Sequence, residues 1–269
     1  MNQLRRLLLT VRFFLRRYHP DLLTAGAALV LYWLAYSLTS DPRALLVWSS
    51  GITIGVTVAI IYFRAREKDF HFIPLWTRAD REDWVGLGTF DFDRGTRSFR
   101  ITNSDSGFIY SKALTWGDYS VSFRFKILSS CVGVIVRAVN LANLIMLQIG
   151  ETGIRPHIRV NAGWNVTEAS EAGLVFPTPL SLDRWYRAVI TCDKAAIRIC
   201  ILDGKHLIFD RQWNIPQGML MFVLRAQSEN QPPVSMPFAI TTEYGTIGFR
   251  NWGPEEALIN EVLVEKIAG

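Results

Sequence analysis

Cysteine is scarce in this chain. Cys131, Cys192 and Cys200 are an odd number with no CxxC pair, which excludes a disulfide framework. Beside the scattered His19, His71, His157 and His206 they also lack the spacing of a zinc site. The thiols read as free and buried in a reducing compartment. Also missing is a convincing pair of carboxylates placed for general acid and base work. No catalytic residue, metal or cofactor is therefore assigned.

Positive charge is lacking where nucleic acid would need it. The net charge is +5 over 269 residues, but nine basic and three acidic residues between Met1 and Lys68 give that segment +6. The remainder carries −1, so the basicity belongs to the N-terminal end and no nucleic-acid partner is expected.

What is present there is hydrophobic length. Residues 22–38 and 44–63 are two uncharged runs, joined by Thr39-Ser-Asp-Pro-Arg43. Each approaches the roughly twenty residues that a helix needs to cross a bilayer, and Asp-Pro favours a turn between them. The sequence thus predicts a transmembrane hairpin over 21–64, with Trp33 and Trp48 inside it. Five arginines, including Arg16 and Arg17, precede the hairpin, and Arg64, Arg66 and Lys68 follow it. The positive-inside rule then places both termini and the following domain in the cytoplasm, on a two-pass protein of an inner or plasma membrane. Residues 1–20 are basic and amphipathic, either a helix in the headgroup layer or a flank carrying topology charges. Gly26, Gly51 and Gly55 allow the helices of several copies to pack, so a homo-oligomer is expected. Phe70-His-Phe-Ile-Pro-Leu-Trp76 is either an interfacial segment or the first strand of the domain.

From residue 69 to 269 the periodicity becomes two. In Tyr119-Ser-Val-Ser-Phe-Arg-Phe-Lys-Ile127 the apolar residues alternate with polar ones, the pattern of a half-buried strand. Similar runs fall at 97–101, 131–139, 144–149, 154–160, 185–191, 196–202, 207–210, 219–225, 246–250 and 258–264. Asp203-Gly204 signals a hairpin with a type I′ turn. Many short strands with no long helical period predict an all-β sandwich.

Several stretches together resemble the concanavalin-like, laminin-G-like jelly roll, and within it the 3-keto-disaccharide hydrolase group. They are Trp84-Val-Gly-Leu-Gly, Gly117-Asp-Tyr-Ser-Val-Ser-Phe-Arg-Phe, Val132-Gly-Val-Ile-Val-Arg137, Leu147-Gln-Ile149, Trp185-Tyr-Arg-Ala-Val-Ile, Ile197-Arg-Ile-Cys-Ile-Leu-Asp-Gly204, Gly245-Thr-Ile-Gly-Phe-Arg250 and Ala257-Leu-Ile-Asn-Glu-Val-Leu-Val264. The resemblance implies a jelly-roll sandwich and a habit of binding sugars. It departs where the relatives carry an acid before Gln148-Ile149: this chain reads Asn143-Leu-Ile-Met-Leu147.

Outward positions of the strands include Arg124, Arg137, Gln148, Arg155, His157, Arg159 and Arg225, with Trp164 just after a turn. On one face they would form a cationic surface for a phosphate or carboxylate, with Trp164 as a stacking platform for a sugar or base. The alternative is a solvated face of arginines paired with the domain's acids. Asp91 and Asp93 share a side and read as ion-pair partners of Arg94 and Arg97 rather than calcium ligands. The expected function is membrane-anchored binding of an anionic small molecule, a saccharide or a protein partner. The alternative is a carbohydrate-active enzyme, or an extracytoplasmic carbohydrate-binding protein.

Overall fold

The computed structural model describes residues 70–267, apart from 74, 76, 105, 113–115, 225–233 and 241–242. The segments 1–20, 22–38 and 44–63 lie outside the described residues, and with them Arg16, Arg17, Trp33, Trp48, Arg64 and Arg66. Among the described residues no helix is long and apolar enough to cross a membrane.

The described chain forms a two-sheet β-sandwich. Sheet A runs in spatial order β13 (His206–Asn214), β12 (Ala196–Asp203), β11 (Trp185–Asp193), β6 (Tyr119–Ser129), β17 (Glu256–Lys266), β4 (Ser98–Thr102) and β3 (Thr89–Asp93). The stretch from residue 70 begins as a strand, β1 (Phe70–Ile73), which also pairs with β17. Sheet B runs β15 (Val234–Ala239), β14 (Met219–Leu224), β10 (Gly163–Val166), β9 (Ile154–Val160), β8 (Asn143–Gly150), β7 (Cys131–Asn140), β16 (Thr246–Arg250), β5 (Phe108–Tyr110) and β2 (Trp84–Gly86). Neighbours along both runs are antiparallel, as between β6 and β11 or β8 and β9.

The alternation in β6 is realised without a slip: Tyr119, Val121, Phe123, Phe125 and Ile127 are buried between the sheets. Phe123 meets Phe249 of sheet B edge-on, with ring centroids 5.3 Å apart. Fully burying a side chain of this size stabilises by about 1.5–3 kcal/mol, so these facing aromatics hold the sheets together. The hairpin at Asp203 also forms, but one residue later than predicted. Asp203 pairs with His206, and Gly204 with φ +61° is the first of two central residues. Positive φ at that position alone marks a II′ turn, not I′.

β7 breaks the rule of one buried face, since Cys131 through Ala138 are all buried. Val132, Val134 and Val136 point into the main core. Ile135 and Ala138, with Leu144 and Met146 of β8, form a second buried cluster on the opposite side of sheet B. A sandwich sheet covered on its outer face invites the question of what covers it.

Candidate functional site

The antiparallel register lays out the outer face of sheet B. Arg159 of β9 stands opposite Trp164 of β10 and Leu144 of β8. His157 stands opposite Met146, which stands opposite Ile135, then Gly248. Arg155 stands opposite Gln148, then Gly133, then Arg250 of β16. Because side chains alternate along each strand, all of these leave the same face.

Arg250 and Trp164 are separated by four strand spacings, about 19 Å at roughly 4.8 Å each. Yet the Arg250 guanidinium carbon lies 5.1 Å from the Trp164 ring centroid. Both side chains must therefore lie down across the strands between them. Arg250 reaches Met146 on the way, its Nη1 lying 3.9 Å from the sulfur, and this accounts for part of the burial of the Met146 cluster. Gly133 leaves the room: a Cβ there would sit 2.9 Å from the Met146 sulfur and 2.4 Å from the Arg250 carbonyl oxygen. Arg159 also stacks on Trp164, at 4.9 Å, while donating to the Leu141 carbonyl at 2.7 Å. Each such cation–ring contact contributes about 0.5–2 kcal/mol, more as water is excluded.

His157 meets the Trp164 ring edge-on at 5.9 Å. Burial is the main cause that pushes its pKa down to about 3, with Arg155 and Arg250 adding to the effect. The imidazole is thus neutral at ordinary pH, and its buried Nε2 has no hydrogen-bond partner. At the neighbouring end, a polar chain links two carboxylates. Glu168 accepts from Arg155 at 2.8 Å, Arg155 donates to Gln148 at 3.3 Å, and Gln148 donates to Glu255 at 2.7 Å. The other oxygen of Glu255 accepts from the Trp252 N–H at 2.8 Å. The Cys131 thiol beside Glu255 is pushed well up, by burial first and by that carboxylate second.

The structure thus brings Gln148, Arg155, His157, Arg159 and Trp164 together, and corrects two of their expected companions. Arg124 stands on sheet A, paired with Glu261 at 3.4 Å and stacked on Trp185 at 5.0 Å. Arg137 is not outward at all but only 1% exposed. A bulge after Val136 and a φ of +52° at Arg137 turn it off the face. Arg225 lies outside the described residues. Arg250, Met146 and Glu255 were missed by sequence reasoning. Arg250 was recoverable, because it keeps the parity of Gly248 in a strand whose Ile247 and Phe249 are core. Glu255 sits in a turn, where no periodicity points.

Asp93 pairs with Arg100 at 3.4 Å and accepts from the Thr96 N–H at 3.0 Å, so its partner is Arg100 rather than Arg94 or Arg97. Among the described residues no group of three or more histidine, cysteine or acidic side chains is placed to hold a metal ion.

No protein-family model matches this chain, and no curated protein matches it. Solved structures do resemble it. Carbohydrate-binding module CBM66 from Bacillus subtilis aligns at 13% identity over 68% of this chain and 96% of its own, with a TM-score of 0.46. A galectin-like protein of unknown function from the same species aligns at 15% over 73% and 94%, with a TM-score of 0.42. Xylan beta-1,4-xylosidase from Bacillus halodurans aligns at 8% over 72% of this chain and 39% of its own, with a TM-score of 0.47. At such identities and scores the likeness transfers neither ligand nor activity. The class of the protein, an all-β two-sheet sandwich, rests on the strand pairing itself.

Proposed function

We propose that the sandwich is a binding module that takes a saccharide bearing an acid group on the outer face of sheet B. The residues 22–38 and 44–63 would hold it at a membrane, on the side of the basic flanks. The observation that carries the reading is the meeting of Arg159 and Arg250 over the Trp164 ring. With the Trp164 ring taken up by the two guanidinium groups, the sugar would be held through its hydroxyls and its acid group. Gln148 and Arg155 supply polar partners beside it, and guanidinium groups pair with carboxylate or phosphate. A second reading, hydrolysis, is favoured by the two carboxylates Glu168 and Glu255 on this face. It ranks lower because both are already engaged by Arg155, Gln148 and the Trp252 N–H.

The test is retention of the full-length chain, in detergent, on immobilised glycans that are neutral, uronic or phosphorylated. Acidic glycans should hold the protein, and Trp164→Ala or Arg159→Met should weaken retention at least tenfold while the β spectrum persists. Equal retention of neutral glycans would remove the acidic requirement, and no retention of any glycan would end the saccharide reading. Turnover of a glycoside, lost in Glu255→Gln, would replace binding by catalysis.

A further inference from the structure

We infer that the end of the sandwich holds a second ligand site, separate from the sheet B face, which takes a small organic carboxylate on Arg137. A cleft of about 400 Å³ opens there between the sheets. Asp118, Lys194, Ala195 and Ile215 line it from the ends of sheet A strands, and Arg137, Ile240 and Glu243 from those of sheet B.

Burying a guanidinium costs several kcal/mol unless it is fully paired. Here the pairing is incomplete. Its Nη1 donates to the Glu243 carbonyl at 2.9 Å and its Nη2 to Asp118 Oδ1 at 3.3 Å. That same Asp118 oxygen takes its shorter bond, 2.7 Å, from the Lys194 backbone N–H. The Cys192 thiol also lies against the guanidinium. The Nε is buried with no hydrogen-bond partner, so of five N–H donors the fork retains unmet capacity.

The fold keeps this cation in place at a conformational cost. Arg137 sits at φ +52°, beside Gly245 at φ +146°, where a Cβ would fall 2.4 Å from the Ala138 carbonyl oxygen. The Arg137 N–H is held by the Tyr119 hydroxyl at 2.7 Å. Backbone strain that holds a buried, under-paired charge at a cleft is a feature found at ligand clamps. A planar carboxylate matches the guanidinium edge, while Ala195, Ile215 and Ile240 suit a hydrocarbon body. The acids Asp118 and Glu243 would oppose a phosphate dianion more strongly than a carboxylate.

The experiment is calorimetric titration of the full-length chain with butyrate and, separately, inorganic phosphate. Saturable one-to-one binding of butyrate is expected. Arg137→Lys, which keeps the charge and loses the fork, should weaken it at least tenfold. Ala195→Phe, which fills the cleft and leaves Arg137 in place, should do the same. Folded wild-type protein with no saturable butyrate binding overturns the site, as does undiminished binding by Ala195→Phe. Phosphate binding more tightly than butyrate overturns the carboxylate assignment.

Discussion

Arg250 of β16 lies over the indole of Trp164 of β10, its guanidinium carbon 5.1 Å from the ring centroid, across the three strands that separate them. The contact closes the outer face of sheet B over Met146. It makes two distant strands depend on one another without any backbone pairing between them.

Trp164→Ala should therefore cost more than a surface substitution. It removes the ring from Arg159, Arg250 and His157 and uncovers Leu144 and Met146. A loss of about 2–3 kcal/mol is expected. Arg250→Met, which keeps hydrocarbon over Met146, should cost about 1–2 kcal/mol. Denaturant unfolding of the full-length chain, followed by the β signal, measures both.

His157 should make the domain acid-sensitive. Its folded pKa of about 3 lies below the ordinary 6.5, so the unfolded chain binds the proton that the folded one refuses. Stability is intact above pH about 6.5 and falls as pH drops from there toward 3, by up to about 1.4 kcal/mol per unit. His157→Gln should flatten that slope relative to wild type in unfolding measured across this window. Parallel slopes for the two proteins would refute the assignment.

Tyr119→Phe should destabilise although it removes only one oxygen. The buried N–H of Arg137 loses its acceptor, and an unsatisfied buried donor costs about 1–3 kcal/mol. Gly245→Ala should cost at least as much, because its Cβ meets the Ala138 carbonyl oxygen and φ is +146°. Thermal unfolding of the two variants is the check.

The thiols should be inert in the folded protein. Burial pushes Cys192 up to about 11 and raises Cys131 and Cys200 as well, Cys200 with help from Asp210. Thiolate, not thiol, is the nucleophile. Maleimide at neutral pH should label none of the three quickly until denaturant is added, as mass spectrometry would show.

How much of this was legible beforehand depended on whether a residue obeyed local parity. Strands β6, β9, β11 and β16 were readable because alternating side chains must leave opposite faces. Gln148, Arg155, His157 and Arg159 followed onto one face by the same rule. Short strands such as β2, β5 and β10 were not readable, since three or four residues carry no period that can be told from a loop. The turn at Gly204 was found but placed one residue early, because both I′ and II′ turns favour the same small residues.

Arg137 shows where parity fails. Counting by twos from Val134 and Val136 places it outside, and one bulged residue at positive φ turns it inward to a cleft. The amino-acid sequence by itself determined the β class, most strands, and the gathering of its cationic side chains on alternating positions. Only the tertiary structure decided that Arg124 belongs to the other sheet, that Arg250 reaches Trp164, and that Arg137 is buried. Those facts depend on strand order, bulges and side chains lying across neighbouring strands, and none of these is a property of residues close together in the chain.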